Sequence, residues 1–267
     1  MTTTLSRERR RQLENTVCEA RRVAEEGATK ALEQLGVGDA KVPTHLSSAQ
    51  AKVRNALRAH GRQVGDLRNG STGEQAIGRL TGEVAYEHWH RMLFARFLAE
   101  NDLLIEPDSG VAITLAECQE LARERSEDWL TLASRYAQTM LPQIFRTGDP
   151  VLDVQLPPET RSHLDDRLKS LPHDVFTADD SLGWVYQFWQ ADKKEKVDAA
   201  LRSGGKAGAD ELPAKTQLFT EDYMVWFLLH NTLGAWWAGK VLAVRPELAE
   251  NTETESELRT ACAVADV

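Results

Sequence analysis

Apolar residues recur every three to four positions along most of the chain, which is the pattern of helices that bury one face. The first such stripe runs from Leu5 to Leu35 and is rich in alanine. Gly36 and Gly38 end it, since glycine favours the backbone conformation that terminates helices. Because the stripe is narrow, we expect this helix to pack against one neighbour or a partner rather than inside a core.

Further helices follow the same spacing. Ser47 and Ser48 can cap a second helix that runs to about Gly61. The segment from about Glu74 to Asn101 has a wide apolar face, which predicts a helix at the centre of the fold. Beyond it we predict a short strand at 111–113, a helix from Thr114 to about 122, and helices at about 127–145, 158–170, 180–202 and 221–244.

Internal repeats and convincing β-alternation are lacking, so the predicted fold class is mainly α, a multi-helix domain with little or no β-structure. We divide the chain into an N-terminal helix and linker at 1–46, a helical domain at 47–245, and a tail at 246–267.

Composition agrees with a globular, non-membrane protein. Of the 267 residues, 42% are apolar and 27% are charged. The longest apolar run is the seven residues 223–229, far below the roughly 20 needed to cross a bilayer. The N-terminus has no apolar segment typical of a secretory signal, so we expect a cytoplasmic protein with no membrane contact. Cys18, Cys118 and Cys262 are far apart in the sequence, which favours reduced thiols over a disulfide frame or a zinc site.

Charge is divided unevenly between the two parts of the chain. Residues 1–100 hold 16 Lys and Arg against 12 Asp and Glu, a net charge of +4, while the remainder holds 16 against 29, a net charge of −13. The N-terminal part could therefore touch a polyanion, although the excess is small for a nucleic-acid module.

The two histidines in "YEHWHR" raise the question of a metal site, but their spacing argues against one. His88 and His90 are two residues apart, and such residues do not face each other on a helix. We therefore expect structural or surface histidines and no metal site, and we expect His230 to be packed or to cap a helix. The chain has no nucleophile elbow, P-loop or dinucleotide-binding fingerprint.

Aromatic residues concentrate on two predicted helices, at Trp184, Tyr186, Phe188, Trp189, Trp226, Phe227, Trp236 and Trp237. Their apolar neighbours favour a shared aromatic core over a platform for stacking nucleic-acid bases. The lysine-rich run at 190–215 between these helices is expected to be a solvated helix face and a flexible loop, with a loop that contacts DNA as the less favoured alternative.

Three motifs in order carry a resemblance to a known family. They are "EVAYEHWHRMLFARFLAENDLL", "LGWVYQFWQADKKEKVD" and "ELPAKTQLFTEDYMVWFLLHNTLGAWW". Together they resemble the N-terminal helical region of PglX-type adenine-specific DNA methyltransferases of the BREX and DISARM phage-defence systems, which are kin to type IIG restriction–modification enzymes. The resemblance extends from about Ser47 to Val244.

The resemblance also implies a binding edge for S-adenosylmethionine. In that family, the segment corresponding to Thr-Gln-Leu-Phe-Thr immediately precedes the catalytic domain and lies against the cofactor. It implies Gln217, Phe219 and Thr220 as cofactor-binding residues, with Thr220 near the methionine carboxylate. From the local pattern, Thr220 is also the expected N-cap of the last long helix, whose N-terminus would favour an anion. Glu221 stands where the family usually has proline, and its charge opposes that role.

The family's glycine-rich motif, Asp-Pro-x-x-Gly-Ser-Gly, and its catalytic Asn-Pro-Pro-Tyr do not occur in the 267 residues. We therefore expect no catalytic residue here, and cofactor binding only together with a catalytic domain. The resemblance implies a helical domain, inactive alone, that braces the catalytic domain, with DNA and other defence subunits as further partners. This interpretation makes the chain a fragment, a truncated product or one half of a split enzyme. The alternative is a standalone helical adaptor that docks through its N-terminal helix.

Overall fold

The computed structural model describes residues 4–146, 148–208, 211–216 and 218–265, and these are mainly helical, as predicted. The longer helices are α1 (Arg7–Gln34), α2 (Ser48–Gln63), α3 (Gly78–Glu100), α4 (Leu115–Glu124), α5 (Trp129–Met140), α7 (Pro158–Lys169), α9 (Ser181–Trp189), α10 (Ala191–Arg202), α12 (Asp222–Leu229), α13 (Ala235–Val244) and α15 (Glu255–Ala263). Short helical turns are α6 (Pro142–Phe145), α8 (His173–Phe176), α11 (Leu212–Thr216) and α14 (Glu247–Glu250), with a 3₁₀ turn at Pro150–Asp153.

Helix starts follow the capping residues in the sequence. The Ser47 hydroxyl accepts a hydrogen bond from the backbone N–H of Gln50, whose side-chain oxygen in turn accepts one from the Ser47 N–H. Thr114 and Glu117 form the same reciprocal capping box at the start of α4. Both starts were predicted, because the hydroxyl of Ser or Thr satisfies N–H groups that have no partner within the helix.

The chain divides into two compact units, residues 1–217 and 218–267. The sequence-based boundaries at 46 and 245 remain a prediction about domain roles.

Helix α1 forms part of the core of the first unit. It packs against α3, α7 and α9, and its apolar stripe, including Leu13, Val17 and Leu32, is fully buried. A methyl group added at Gly27 would overlap Thr160 of α7, so the two helices approach closely. The expectation that α1 packs against only one neighbour or a partner is wrong, because its small alanine side chains let several helices approach it at once.

Helix α3 is central, as predicted. Its Trp89 and Leu93 are buried, and it contacts α1, α5 and the 3₁₀ turn. His90 lies in the aromatic packing of this helix, with ring centroids 5.4 Å from Tyr86 and 5.8 Å from Phe94. These stacked rings agree with the interpretation of His90 as a structural histidine.

A two-stranded antiparallel sheet joins β1 (Leu104–Glu106) to β2 (Val111–Ile113), with Leu104 opposite Ile113. The predicted strand at 111–113 is confirmed. Strand β1 was not predicted, because three residues directly after a long helix show no recognisable alternation.

Three predicted helices are interrupted in the structure, and two of them lie in the first unit. The helix expected at 127–145 ends at Met140, since Pro142 follows and proline disfavours helical geometry in the residue before it. Asp128 caps the observed helix by accepting from the Thr131 N–H. The helix expected at 180–202 is divided at Gln190 into α9 and α10.

The second unit consists of one interrupted helix and a short C-terminal pair. Helices α12 and α13 are joined by a π-helical turn at His230–Gly234. The first residues of that turn bond back to the preceding helix, with Asn231 Nδ2 donating to the Phe227 carbonyl oxygen at 2.7 Å. Helix α15 packs on α13, where Val241 and Cys262 are buried and Trp237 Nε1 donates to the Cys262 carbonyl oxygen at 2.9 Å.

Candidate functional site

The predicted cofactor edge lies at the start of the second unit. Phe219 is partly buried and Thr220 is exposed, and both belong to an irregular segment before α12. Gln217, the third predicted residue, lies outside the described residues. Nothing in the geometry of these positions tests their cofactor role, so it stays a prediction.

The helix start differs from the prediction in one respect. Glu221, with φ −63° and ψ 144°, is the N-cap of α12, and Thr220 is not. The first turn also holds Asp222. Negative side chains at a helix N-terminus occupy the position that favours an anion, so this helix start is poorly suited to a methionine carboxylate.

The most unusual surface in the described residues is the α12–α13 face, which we define as the exposed apolar side chains from Tyr223 to Val244. Phe227 is 66% exposed, Tyr223 63% and Trp236 59%. The other members are Met224, Val225, Trp226, Leu228, Leu229, Leu233, Trp237 and Val244. None of the eight residues of α12, all of them described, is buried.

The aromatic-core prediction is confirmed for one helix and wrong for the other. Phe188 and Trp189 are buried in the core of the first unit. Trp226, Phe227, Trp236 and Trp237 are instead exposed. Apolar character alone favoured burial, but the described residues around α12 do not cover all of its sides.

An exposed helix that is apolar on all sides, like α12, is typical of a surface that another polypeptide buries. A helix that is apolar on all sides is normally enclosed by protein or lipid, and a large exposed apolar patch marks an interaction site. Among the described helices, none combines the length and apolar content of a membrane span. The second unit holds three Lys and Arg against eight Asp and Glu, a net charge of −5, which disfavours nucleic acid as the covering molecule.

Local contacts order the face without burying it. The His230 ring lies 5.3 Å from the ring of Trp226, and its Nδ1 lies 3.2 Å from a guanidinium nitrogen of Arg259. The Lys240 ammonium lies 4.6 Å from the centroid of the Trp236 ring, in a cation–π arrangement. His230 is therefore packed, as predicted.

The first unit contains a cavity of about 600 Å³ between α3, α5, α7 and the segment 154–158. Apolar walls come from Met92, Leu130 and Leu156, and polar groups from His88, Arg91, Thr131, Ser134, Gln138, Gln155, Arg161 and Asp165. Sequence reasoning did not find this cavity, because its residues come from four separate elements.

His88 is the most perturbed titratable group of the cavity. Burial lowers its pKa from the ordinary 6.5 to about 4, an effect that the Val151 and Val154 carbonyl groups partly oppose and that Arg91 and Arg161 reinforce. Its Nε2 atom has no hydrogen-bond partner in the described part of the chain. The ring is therefore neutral at pH 7, and the cavity offers it as an uncharged hydrogen-bonding group for water or a small polar molecule.

Several N-terminal cations serve the fold instead of forming a basic surface. Arg58 donates to the carbonyl oxygens of Val37, Asp39 and Gly73. Arg54 donates in the same way to Gly36, Asp39 and Lys41. Both are buried, so part of the +4 excess of residues 1–100 cannot face a polyanion.

The thiols behave as structural groups. Burial raises the pKa of Cys118 to about 11 and also raises that of Cys18. A thiol that stays protonated at neutral pH is a poor nucleophile and a poor metal ligand.

One group of side chains among the described residues could hold a metal ion, and it does not include His88 or His90. Its ligand atoms belong to His60, Glu83 and Asp149, and lie within 4.8 Å of one another. These residues are 23 and 66 positions apart in the sequence, so no spacing motif could reveal the group. Close to it, burial raises the pKa of Glu87, with the carboxylates of Asp149 and Glu83 adding to the effect and Arg146 opposing it.

Comparison with known proteins supports the resemblance carried by the three motifs. No protein-family model matches the chain, and no solved structure matches it significantly. An adenine-specific methyltransferase PglX of Lacticaseibacillus casei (strain Zhang) is 26% identical over 205 residues, covering 61% of this chain and 16% of that protein. The adenine-specific methyltransferase BrxX of Escherichia coli O9:H4 (strain HS) is 31% identical over 101 residues, covering 36% of this chain and 8% of that protein.

The matched regions are thus less than a fifth of the length of either relative. The chain is similar to PglX-type adenine-specific methyltransferases over a limited part of their length.

Proposed function

We propose that this chain is the N-terminal helical domain of an S-adenosylmethionine-dependent, adenine-specific DNA methyltransferase of a bacterial phage-defence system. In this proposal it scaffolds the catalytic domain and has no methyltransferase activity alone. The similarity to PglX and BrxX supports the assignment, and the lack of both catalytic motifs in the 267 residues supports the proposed inactivity of this chain alone.

The observation that carries the scaffolding role is the α12–α13 face. It presents apolar side chains on all sides of α12, including Phe227 at 66% and Leu228 at 58% exposure. Removing apolar area from water is favourable by roughly 25 cal/mol per Å² before the entropic costs of association are subtracted, so covering this face would favour docking. The catalytic domain is the proposed occupant.

Docking there would also give the predicted cofactor residues their role. Phe219 and Thr220 lie just before Glu221, the N-cap of α12, so they would lie at the margin of the interface. Together with Gln217 they would supply one wall of the cofactor pocket, and the catalytic domain would supply the others. S-adenosylmethionine therefore binds the assembled enzyme in this proposal.

DNA is proposed as a partner of the full enzyme, with the first unit as an auxiliary contact. Arg7 and Arg11 at the start of α1 are exposed and available for phosphate groups. Because Arg54 and Arg58 are engaged internally, this contribution is expected to be small.

The test uses the chain with the catalytic polypeptide encoded in the same genome, recognised by Asp-Pro-x-x-Gly-Ser-Gly and Asn-Pro-Pro-Tyr. Methylation of DNA adenine is measured with labelled S-adenosylmethionine for each protein alone and for the mixture. We expect no activity from this chain, formation of a complex, and methylation restored in the mixture. Failure to associate would contradict the proposal.

The alternative is a standalone helical adaptor. The surface first expected for it, the alanine-rich stripe of α1, is buried in the first unit and cannot dock a partner. An adaptor would have to use the α12–α13 face instead. Stable homodimers that do not bind the catalytic polypeptide would favour this alternative.

A further inference from the structure

We propose that His60, Glu83 and Asp149 form a binding site for one divalent transition-metal ion, and Zn²⁺ is the ion used here to represent this class. The proposal is independent of the methyltransferase assignment, since it rests only on residues of the first unit.

Three separate elements contribute to the site. His60 lies in the last turn of α2, Glu83 lies in the second turn of α3, and Asp149 is the N-cap of the 3₁₀ turn. The 3₁₀ turn packs against both helices. The site is therefore held by the packing of the first unit and does not depend on a loose loop.

The distances between the three side chains suit coordination of one shared metal ion. His60 Nε2 lies 2.8 Å from Glu83 Oε2, and one atom from each of the three residues falls within 4.8 Å of the others. Tetrahedral zinc with bonds of about 2.1 Å holds its ligand atoms about 3.4 Å apart, so side-chain adjustments of about 1 Å would suffice. All three residues are partly buried, which limits competition from water.

Charge around the site also favours a cation. Glu83 and Asp149 contribute two carboxylates, and Glu87 is a third within electrostatic reach of both. Arg146 and Arg91 act on Glu87 and offset part of this charge. His60 is in the last turn of a 16-residue helix, whose C-terminal end carries partial negative charge.

The ligand set selects the class of metal. One imidazole nitrogen with two carboxylates suits zinc and its transition-metal neighbours, whereas Mg²⁺ prefers oxygen ligands and retains several waters. Three protein ligands leave a fourth position of a tetrahedral ion open to water. Bound there, the ion would join α2, α3 and the 3₁₀ turn.

Isothermal titration calorimetry with Zn²⁺ tests the site in the full chain after dialysis against a chelator. We expect one zinc ion per chain, and a melting temperature raised by about 5 °C at a hundredfold excess of zinc over the dissociation constant. Zinc affinity should fall at least tenfold in His60→Gln and in Asp149→Asn. Asparagine is itself a good N-cap, so the second variant is expected to stay folded.

His173→Gln is the matched control. His173 Nδ1 lies 2.7 Å from Glu100 Oε2, a histidine–glutamate pair like His60 with Glu83, but it belongs to no three-ligand group in the described residues. This variant should keep the zinc affinity of the parent chain. Absence of zinc binding, equal affinity in Asp149→Asn, or equal affinity for Mg²⁺ would each overturn the proposal.

Discussion

Helices α3 and α12–α13 are both rich in apolar and aromatic residues, yet they lie in opposite environments. In α3, Trp89 and Leu93 are enclosed by neighbouring helices. In α12, whose eight residues are all described, no residue is buried. An apolar pattern therefore predicts that a helix becomes buried, but the polypeptide that buries it can be another domain or another protein.

The two units therefore play different physical roles. The first has a contiguous core in which even the alanine-rich α1 is buried, so its stability comes from internal packing. The second buries Val241 and Cys262 where α13 meets α15, and leaves the α12–α13 face open. We expect the first unit to be stable by itself and the second to gain stability from docking.

Paired tryptophan truncations give the largest contrast. Trp89→Ala removes a fully buried ring and should lower the free energy of unfolding by about 3–5 kcal/mol. Trp226→Ala removes a ring that is 44% exposed and should change it by less than about 1 kcal/mol. Urea unfolding followed by circular dichroism measures both. Equal losses would show that the α12–α13 face is buried in solution.

The stability of the first unit should depend on pH through the buried His88. In the folded protein the pKa of His88 is lowered to about 4, whereas the unfolded ring keeps its ordinary value of 6.5. The unfolded state therefore takes up the proton first as pH falls, so stability is lost between pH 6.5 and about 4. The full loss is up to about 3 kcal/mol, because one pKa unit corresponds to about 1.4 kcal/mol.

The His88→Gln variant isolates this contribution, since glutamine does not titrate. The difference in unfolding free energy between the parent chain and the variant should change by up to about 3 kcal/mol between pH 7 and pH 4. Urea titrations at several pH values provide the measurement. A difference that stays constant with pH would mean that His88 titrates normally in the folded protein.

Capping residues in the two units give the smallest expected effect. Ser47→Ala breaks the capping box of α2 and should cost about 1 kcal/mol of global stability. Thr254→Ala breaks the equivalent box of α15, and the same loss should appear only locally, as faster amide exchange in 255–263. Hydrogen exchange with mass spectrometry separates the two. Global destabilisation by Thr254→Ala would contradict the division into two units.

The sequence predicted what local chemistry determines. Ser47 and Thr114 mark helix starts because a hydroxyl must satisfy nearby N–H groups, and the spacing of apolar residues placed α3 at the centre. The neighbours of a helix depend on tertiary packing, so the burial of α1 and the exposure of α12 were both missed. The His60–Glu83–Asp149 group was missed for the same reason, since folding alone brings these distant positions together.

The proposed cofactor edge shows a different limit. Phe219 and Thr220 were singled out by resemblance to a family, and their cofactor role stays a prediction. Glu221 and Asp222 add negative charge at the helix start, which the assembled enzyme would have to offset.

The most direct test of the docking claim is the affinity of this chain for the catalytic polypeptide, measured by isothermal titration calorimetry. Phe227→Glu with Trp236→Glu places two charges on the α12–α13 face, while Leu67→Glu alters an 81% exposed leucine of the first unit. We predict that the double variant binds at least tenfold more weakly and that Leu67→Glu binds like the parent chain. Unchanged affinity in the double variant would contradict the docking role of the face.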